Sequence, residues 1–127
     1  MIVIKSKTEL TCEEIAKCNK LIEYSFGNSR FDTYDKVIYY IVEDEIVGFV
    51  GISENYLNQL CTCINYRNRG IASEIIERAK GILDGTIYLF VNKDNEFSDI
   101  LLKYYTKLNF YIEYENEVEY KMICIYK

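Results

Sequence analysis

The chain has 127 residues, half of them apolar, with 13 tyrosines, 6 phenylalanines and a formal net charge of −5. That length suits one domain over 1–127 with a core of its own, and the apolar content argues against disorder. The acidic balance speaks against a nucleic-acid surface, which needs a basic patch, and no stretch reaches the ~20 apolar residues of a membrane span.

The opening "MIVIKSKTEL" reads as a short edge strand, Ile2 to Lys5, rather than a signal peptide, because its apolar run is too brief. Thr11-Cys12-Glu13-Glu14 has the spacing of a capping box, so a helix is predicted from there to about Tyr24. "FGNSRFDTYD", Phe26 to Asp35, is polar and turn-rich, a loop with one short helical turn. Val37 to Val42 and Ile46 to Ser53 are β-rich and read as a hairpin turning at Glu43-Asp44-Glu45.

Gln59 to Ile64 is a shorter strand on which Cys61 and Cys63 share a face as small hydrophobes. The other cysteines are Cys12, Cys18 and Cys124, and the chain has no C-x-x-C and no histidine. A zinc site or disulfide framework is therefore not expected, and reduced thiols fit a cytoplasmic protein without a metal. The lack of histidine also removes the usual general base.

From Gly70 the apolar positions Ile71, Ala72, Ile75, Ile76, Ala79, Ile82 and Leu83 trace one helical face, with Glu74, Glu77, Arg78 and Lys80 opposite. Asp84-Gly85 stops that helix, and Ile87 to Val91 reads as a strand buried on both faces, completing a strand–helix–strand unit. A further helix carries Ile100, Leu101, Tyr104, Tyr105 and Leu108 on one face. Phe110 to Tyr114 and Val118 to Tyr126 alternate like a hairpin turning at Glu115-Asn116-Glu117. The tally is about seven strands and three or four helices, an α/β or α+β domain around a mixed sheet.

The stretch "YRNRGIAS", Tyr66 to Ser73, puts two arginines and a glycine directly before a helix. A helix start leaves several N–H groups unpaired and carries about half a positive charge. Gly70 lets the backbone bend and a ligand approach, Ala72 and Ser73 add little bulk, and Arg67 and Arg69 can pair with phosphate. The dinucleotide and P-loop motifs are both absent. Two readings stay open on these features: a phosphate-bearing ligand docks here, or Gly70 only permits the strand-to-helix turn while the arginines are solvated.

Arg67-Asn68-Arg69-Gly70-Ile71-Ala72 resembles the R/Q-x-x-G-x-G/A loop of the GNAT superfamily of acyl-CoA N-acyltransferases. "LCTCINYRNRGIASEII" looks like that family's fourth strand, pyrophosphate loop and following helix. "LFVNKDN" and "YYTKLNF" are similar to its later segments at Val91, Asn95, Tyr105, Lys107 and Phe110. The interval from Asn95 to Tyr105 is longer than the family's, which brings Ser98 to the place where that asparagine counts. Asn109 replaces a glycine, and Phe90 stands where some members carry a catalytic glutamate.

The resemblance implies a mostly antiparallel GNAT-like sheet and direct acetyl transfer from acetyl-CoA to a primary amine of a small molecule or protein. It implies that the cofactor pyrophosphate lies on the backbone of Arg67, Asn68, Arg69, Gly70, Ile71, Ala72 and Ser73, with Asn95 as a further contact. The pantetheine arm would lie along Leu60, Cys61 and Thr62, and a backbone N–H of that strand would hold the oxyanion. Tyr105 would protonate the departing thiolate, since an ordinary thiol has a pKa near ~8.5. The amine, with a pKa near ~10.4, must lose a proton. Glu54 is the first candidate base and Glu113 another. Two alternatives carry different functions: a GNAT-like module that binds acyl-CoA without chemistry, and an unrelated small α/β interaction domain. The expected partners are acetyl-CoA and an amine, with no nucleic acid or membrane, in a monomer or homodimer.

Overall fold

The computed structural model of the chain describes residues 1–27, 31 and 34–126. Of the loop expected over Phe26 to Asp35, residues 28–30, 32 and 33 lie outside those described. The chain divides into two compact units, Met1–Ile82 and Leu83–Lys127.

The first unit holds strands β1 (Ile2–Ser6), β2 (Lys36–Val42), β3 (Glu45–Ser53) and β4 (Tyr56–Thr62), with helices α1 (Cys12–Phe26) and α2 (Ile71–Ile82). Its strands pair antiparallel in chain order. Helix α1 starts at the predicted capping box. The Thr11 hydroxyl accepts the Glu14 N–H at 3.1 Å, and Glu14 Oε1 accepts the Thr11 N–H at 2.9 Å.

The second carboxylate oxygen of Glu14 does more than cap. It accepts the Lys5 ammonium at 2.6 Å and the Tyr39 hydroxyl at 2.5 Å, tying α1 to β1 and β2. The Lys5 bond first, and then the Tyr39 bond, hold the Glu14 carboxyl at about 2. A depressed carboxyl contributes stability that is present above its unfolded pKa and lost as the pH falls towards the folded one. Glu14→Gln is therefore expected to lower stability near neutral pH by about 2 kcal/mol, a figure reduced for the 17% exposure of the side chain. Urea midpoints followed from neutral to acid pH should fall steeply for the wild type and more gently for the variant. Parallel acid limbs would mean that Glu14 carries none of the acid sensitivity.

Glu43 and Asp44 both take positive φ, 49° and 68°, and form the two-residue turn joining β2 to β3, as the hairpin reading expected. Strand β4 begins at Tyr56, three residues before the predicted Gln59, and stops at Thr62. Glu54, also at positive φ, closes a second tight turn, so alternation resumes at once and Tyr56-Leu57-Asn58 is ladder rather than loop. Ile64–Tyr66 is a 3₁₀ turn and not the end of a strand.

Strand β3 is buried almost throughout, and its two glycines admit a neighbour on opposite faces. A Cβ at Gly51 would overlap the Tyr34 ring, and one at Gly48 would meet Ile71 and Ile75 of α2. On the α1 side, Cys18, Leu21 and Ile22 pack against Tyr34, Val37, Tyr39, Phe49 and Cys61. Helix α2 buries Ile71, Ile75, Ile76 and Ala79 as predicted. It departs from the predicted faces at two positions. Ile82 is exposed at its last turn, while Lys80 is buried, with its ammonium 3.4 Å from Glu77 Oε1.

The second unit holds β5 (Gly85–Asn92), α3 (Ser98–Lys107), β6 (Tyr111–Glu115) and β7 (Glu119–Tyr126), with strand order β5-β7-β6 and antiparallel pairing. The expectation that Ile87 to Val91 is buried on both faces fails. Ile87, Leu89 and Val91 are buried, while Tyr88 and Phe90 on the other face are half-buried. Aromatic rings supplied apolar character there without full burial. Ile100 also leaves its predicted face and is 65% exposed, while Leu101 is half-buried and Tyr105 is buried. With seven strands, antiparallel within both units, and three α-helices among the described residues, the chain has the expected mixed α/β fold.

Candidate functional site

The first unit's site is built at the carboxyl end of β4. Two residues of that strand, Gln59 and Leu60, oppose the single Val50 between the Gly51–Asn58 and Phe49–Cys61 pairs, and Gln59 sits at φ 59°. This is a β-bulge, which breaks the ladder locally and re-aims backbone groups. Nothing in the residue types announces it, since glutamine has no preference for positive φ.

Beyond the bulge, Leu60 and Thr62 are half-buried and Cys61 points into the α1-side core. Burial pushes the Cys61 thiol up to about 12, so it is a packing group that presents its backbone rather than a reactive sulfur. Cys63, half-buried, donates its N–H to Val47 at 2.7 Å and opens the 3₁₀ turn.

The loop itself bends through two left-handed residues, Asn68 at φ 64° and Gly70 at φ 79°. Arg67 Nε donates to the Thr62 carbonyl at 3.1 Å, fastening the loop to the end of β4. The Arg69 guanidinium lies 5.1 Å from the centre of the Tyr66 ring. Sequence reasoning missed that support, for which the Tyr-x-x-Arg spacing was the available signal. Among the described residues neither guanidinium has a carboxylate partner, so most of their donors remain to be used.

Glu74 N–H donates to the Gly70 carbonyl at 3.0 Å, the first bond of α2. The N–H groups of the helix's first turn accordingly have no carbonyl of the helix to bond. A Cβ built on Gly70 would meet no atom within 4 Å, so the bend opens onto space in front of that turn. Backbone donors, open space at a glycine and two guanidinium groups without a carboxylate partner among the described residues fit a diphosphate such as that of coenzyme A.

Glu54 stands at the other end of β4, exposed, with its N–H donating to Asp35 Oδ2 at 2.6 Å. The seven residues of the strand separate it from the loop, roughly 20 Å at strand rise.

In the second unit, Asn95 performs a local task. Its Oδ1 accepts the Phe97 N–H at 2.8 Å, and its carbonyl accepts Ser98 N–H at 3.0 Å where α3 begins. Tyr105 is buried on α3 and is fixed by the helix's C-terminal turn. Phe110 N–H reaches the Tyr105 carbonyl at 3.0 Å and Asn109 N–H the Thr106 carbonyl at 3.1 Å, the two bonds of a Schellman motif. Asn109 takes φ 72°, as the glycine it replaces would, and the Tyr105 and Phe110 rings meet edge to face at 6.0 Å. Tyr104, one position earlier, is half-buried. Glu113, the other carboxylate singled out, is paired with Lys121 at 3.1 Å.

Comparisons to known proteins give the family and the fold. Residues 8–110 match the model of the acetyltransferase (GNAT) family, and the chain belongs to that family. Its fold is that of solved acetyltransferases. An acyl-CoA N-acyltransferase from Pseudomonas aeruginosa superposes with a TM-score of 0.79 at 15% identity, over 98% of both chains. The PaiA N-acetyltransferase from Thermoplasma acidophilum, in complex with coenzyme A, gives 0.70 at 15% identity over 99% of both. An aminoglycoside 6'-N-acetyltransferase complexed with coenzyme A gives 0.74 at 13% identity, over 97% of this chain and 96% of that one. No curated protein sequence matches the chain.

Proposed function

We propose that the protein transfers an acetyl group from acetyl-CoA directly to a primary amine. The observation that carries this reading is the turn into α2, where Gly70 at φ 79° opens onto free space beside Arg67 and Arg69. Two of the proteins that share the fold were solved with coenzyme A, which supports the same ligand here.

In this reading the first-turn N–H groups of Ile71, Ala72 and Ser73 and the two guanidiniums hold the pyrophosphate, and Asn68 shapes the bend. The bulged backbone at Gln59-Leu60 offers an N–H to the oxygen that gains charge as the amine attacks, a donor typically worth ~3 to 4 kcal/mol. The new C–N bond forms as the C–S bond breaks. The amine's proton passes to water, with Glu54 as the carboxylate of the first unit that could relay it. The departing thiolate takes its proton from Tyr105. Asn95 steadies the start of the helix that carries Tyr105.

Thermal melts test the binding half. Coenzyme A at 100 times its dissociation constant is expected to add ~2.7 kcal/mol to stability by mass action. Gly70→Val should abolish that gain, because an L-residue there is strained and its side chain fills the open space. Arg69→Ala should reduce it. A melt unmoved by millimolar coenzyme A sinks the reading, and a shift without thiol release from acetyl-CoA in the presence of any amine leaves a binding module.

A further inference from the structure

A groove in the first unit takes no part in the acyl transfer described above. Lys17, Lys20, Leu21 and Tyr24 recur turn by turn along α1 and so form one face of that helix. With the turn into β3 and Cys63 they line a cavity of about 390 Å³. That volume falls within the ~300 to 1,000 Å³ of small-molecule sites. Leu21 and Ile46 belong to the core on the α1 face of the sheet, and Cys63 packs against it. Helix α2 packs on the other face, at Gly48.

Floor and rim differ in character. The floor is aliphatic: Leu21 and Ile46 are buried, and Cys63 is half-buried in the same lining. At one end of the rim the helix is tied to the turn. Lys17 Nζ donates to the Asp44 carbonyl at 2.8 Å, and lies 3.3 Å from Asp44 Oδ2 and 3.5 Å from Glu13 Oε1. Strand alternation directs the Glu45 side chain away from the face on which Ile46 is buried. One helical turn beyond Lys17, Lys20 and Tyr24 stand four residues apart on the same face, both exposed. Among the described residues neither the Lys20 ammonium nor the Tyr24 hydroxyl has a partner.

We propose that this groove binds an unbranched aliphatic monocarboxylate. Its carboxylate accepts from Lys20 and Tyr24, and its chain lies on Leu21, Ile46 and Cys63. The single uncommitted cation sets the head-group charge. A second negative charge would confront Asp44 and Glu13, and an ammonium would confront Lys17 and Lys20. The proposal goes beyond the acetyl-transfer reading and does not depend on it.

The experiment titrates sodium butyrate, hexanoate and octanoate into the full chain by calorimetry. Each added methylene is expected to tighten binding about three- to fourfold. Affinity independent of chain length overturns the proposal, because it leaves only a surface ion contact. Octan-1-ol and octylammonium keep the chain and lose the carboxylate, and either one binding as tightly as octanoate overturns it too. Lys20→Met should weaken octanoate about tenfold and Tyr24→Phe about threefold. Lys7→Met, exposed and outside the groove, should change nothing.

Cys63 supplies an independent readout. Saturating octanoate should slow alkylation of Cys63 by iodoacetamide about tenfold, while Cys12, exposed at the start of α1, reacts as before. Unprotected Cys63 overturns the proposal. Saturating coenzyme A is expected to leave octanoate affinity unchanged, because α2 packs on the opposite face of the sheet. Displacement of octanoate by coenzyme A would make the groove part of the coenzyme site and overturn the assignment. If coenzyme A fails to bind, the acetyltransferase reading falls while the chain-length series still decides the groove.

Discussion

Tyr105→Phe is expected to lower kcat by about 10² to 10⁴, the range for a positioned proton donor, with little change in the apparent affinity for acetyl-CoA. The substitution removes one oxygen and leaves the ring. Much of its packing should survive, because phenylalanine keeps the edge-to-face meeting with Phe110 at 6.0 Å, that with Tyr104 at 5.5 Å, and the Schellman bonds of the backbone. Turnover reduced far beyond any change in melting temperature would separate chemistry from structure. Tyr104→Phe is the control, since adjacent helical residues point ~100° apart. Full turnover in Tyr105→Phe with loss in Tyr104→Phe would move the donor by one position. Full turnover in both would make water the proton source and Tyr105 a core aromatic.

The parts of this fold that were legible in the sequence are those whose signal is local. The capping box at Thr11, the hairpin turn at Glu43-Asp44 and the glycine-to-helix junction at Gly70 each follow from residues within four positions of one another. The same holds for Asn109, which stands in the place of a glycine and takes the positive φ such a position calls for. What stayed hidden depends on partners distant in the chain. Glu14 reads as half of a cap, yet its other oxygen holds Lys5 and Tyr39, and no spacing joins 14 to 39. Lys80 reads as solvated until the surface beneath it is known. The bulge at Gln59 exists because β3 and β4 must pair in a particular register, which no single strand specifies. The candidate site divides the same way: its phosphate-facing loop was visible, and the hold of Arg67 on the Thr62 carbonyl was not.

Gly48→Val is expected to cost about 2 to 3 kcal/mol and also to weaken coenzyme A binding, although Gly48 lies on β3 and not in the loop. A Cβ at this position would stand 2.7 Å from Ile71 Cγ2 and 3.0 Å from Ile75 Cδ1, with Tyr40 Cβ at 3.5 Å on its flank. Both isoleucines are buried, so neither can swing into solvent. The strain must instead be relieved by lifting the first turn of α2 away from the sheet. That turn carries the N–H groups assigned to the pyrophosphate, and Ile71 directly follows Gly70, so a displacement of a few tenths of an ångström reaches the anion site undiminished. Packing and function are thereby coupled through one side chain. Ile71→Ala creates the missing room, and in the double variant Gly48→Val/Ile71→Ala the valine fills the space the isoleucine vacates. The pair should be more stable than the sum of the single losses predicts, a coupling expected at residues in contact. The melting shift produced by coenzyme A should recover with it. If Gly48→Val melts earlier yet keeps the full ligand shift, the loop holds its geometry independently of how α2 seats on β3. The anchor would then be the Arg67 bond to Thr62, and Arg67→Ala becomes the variant that should lose the shift.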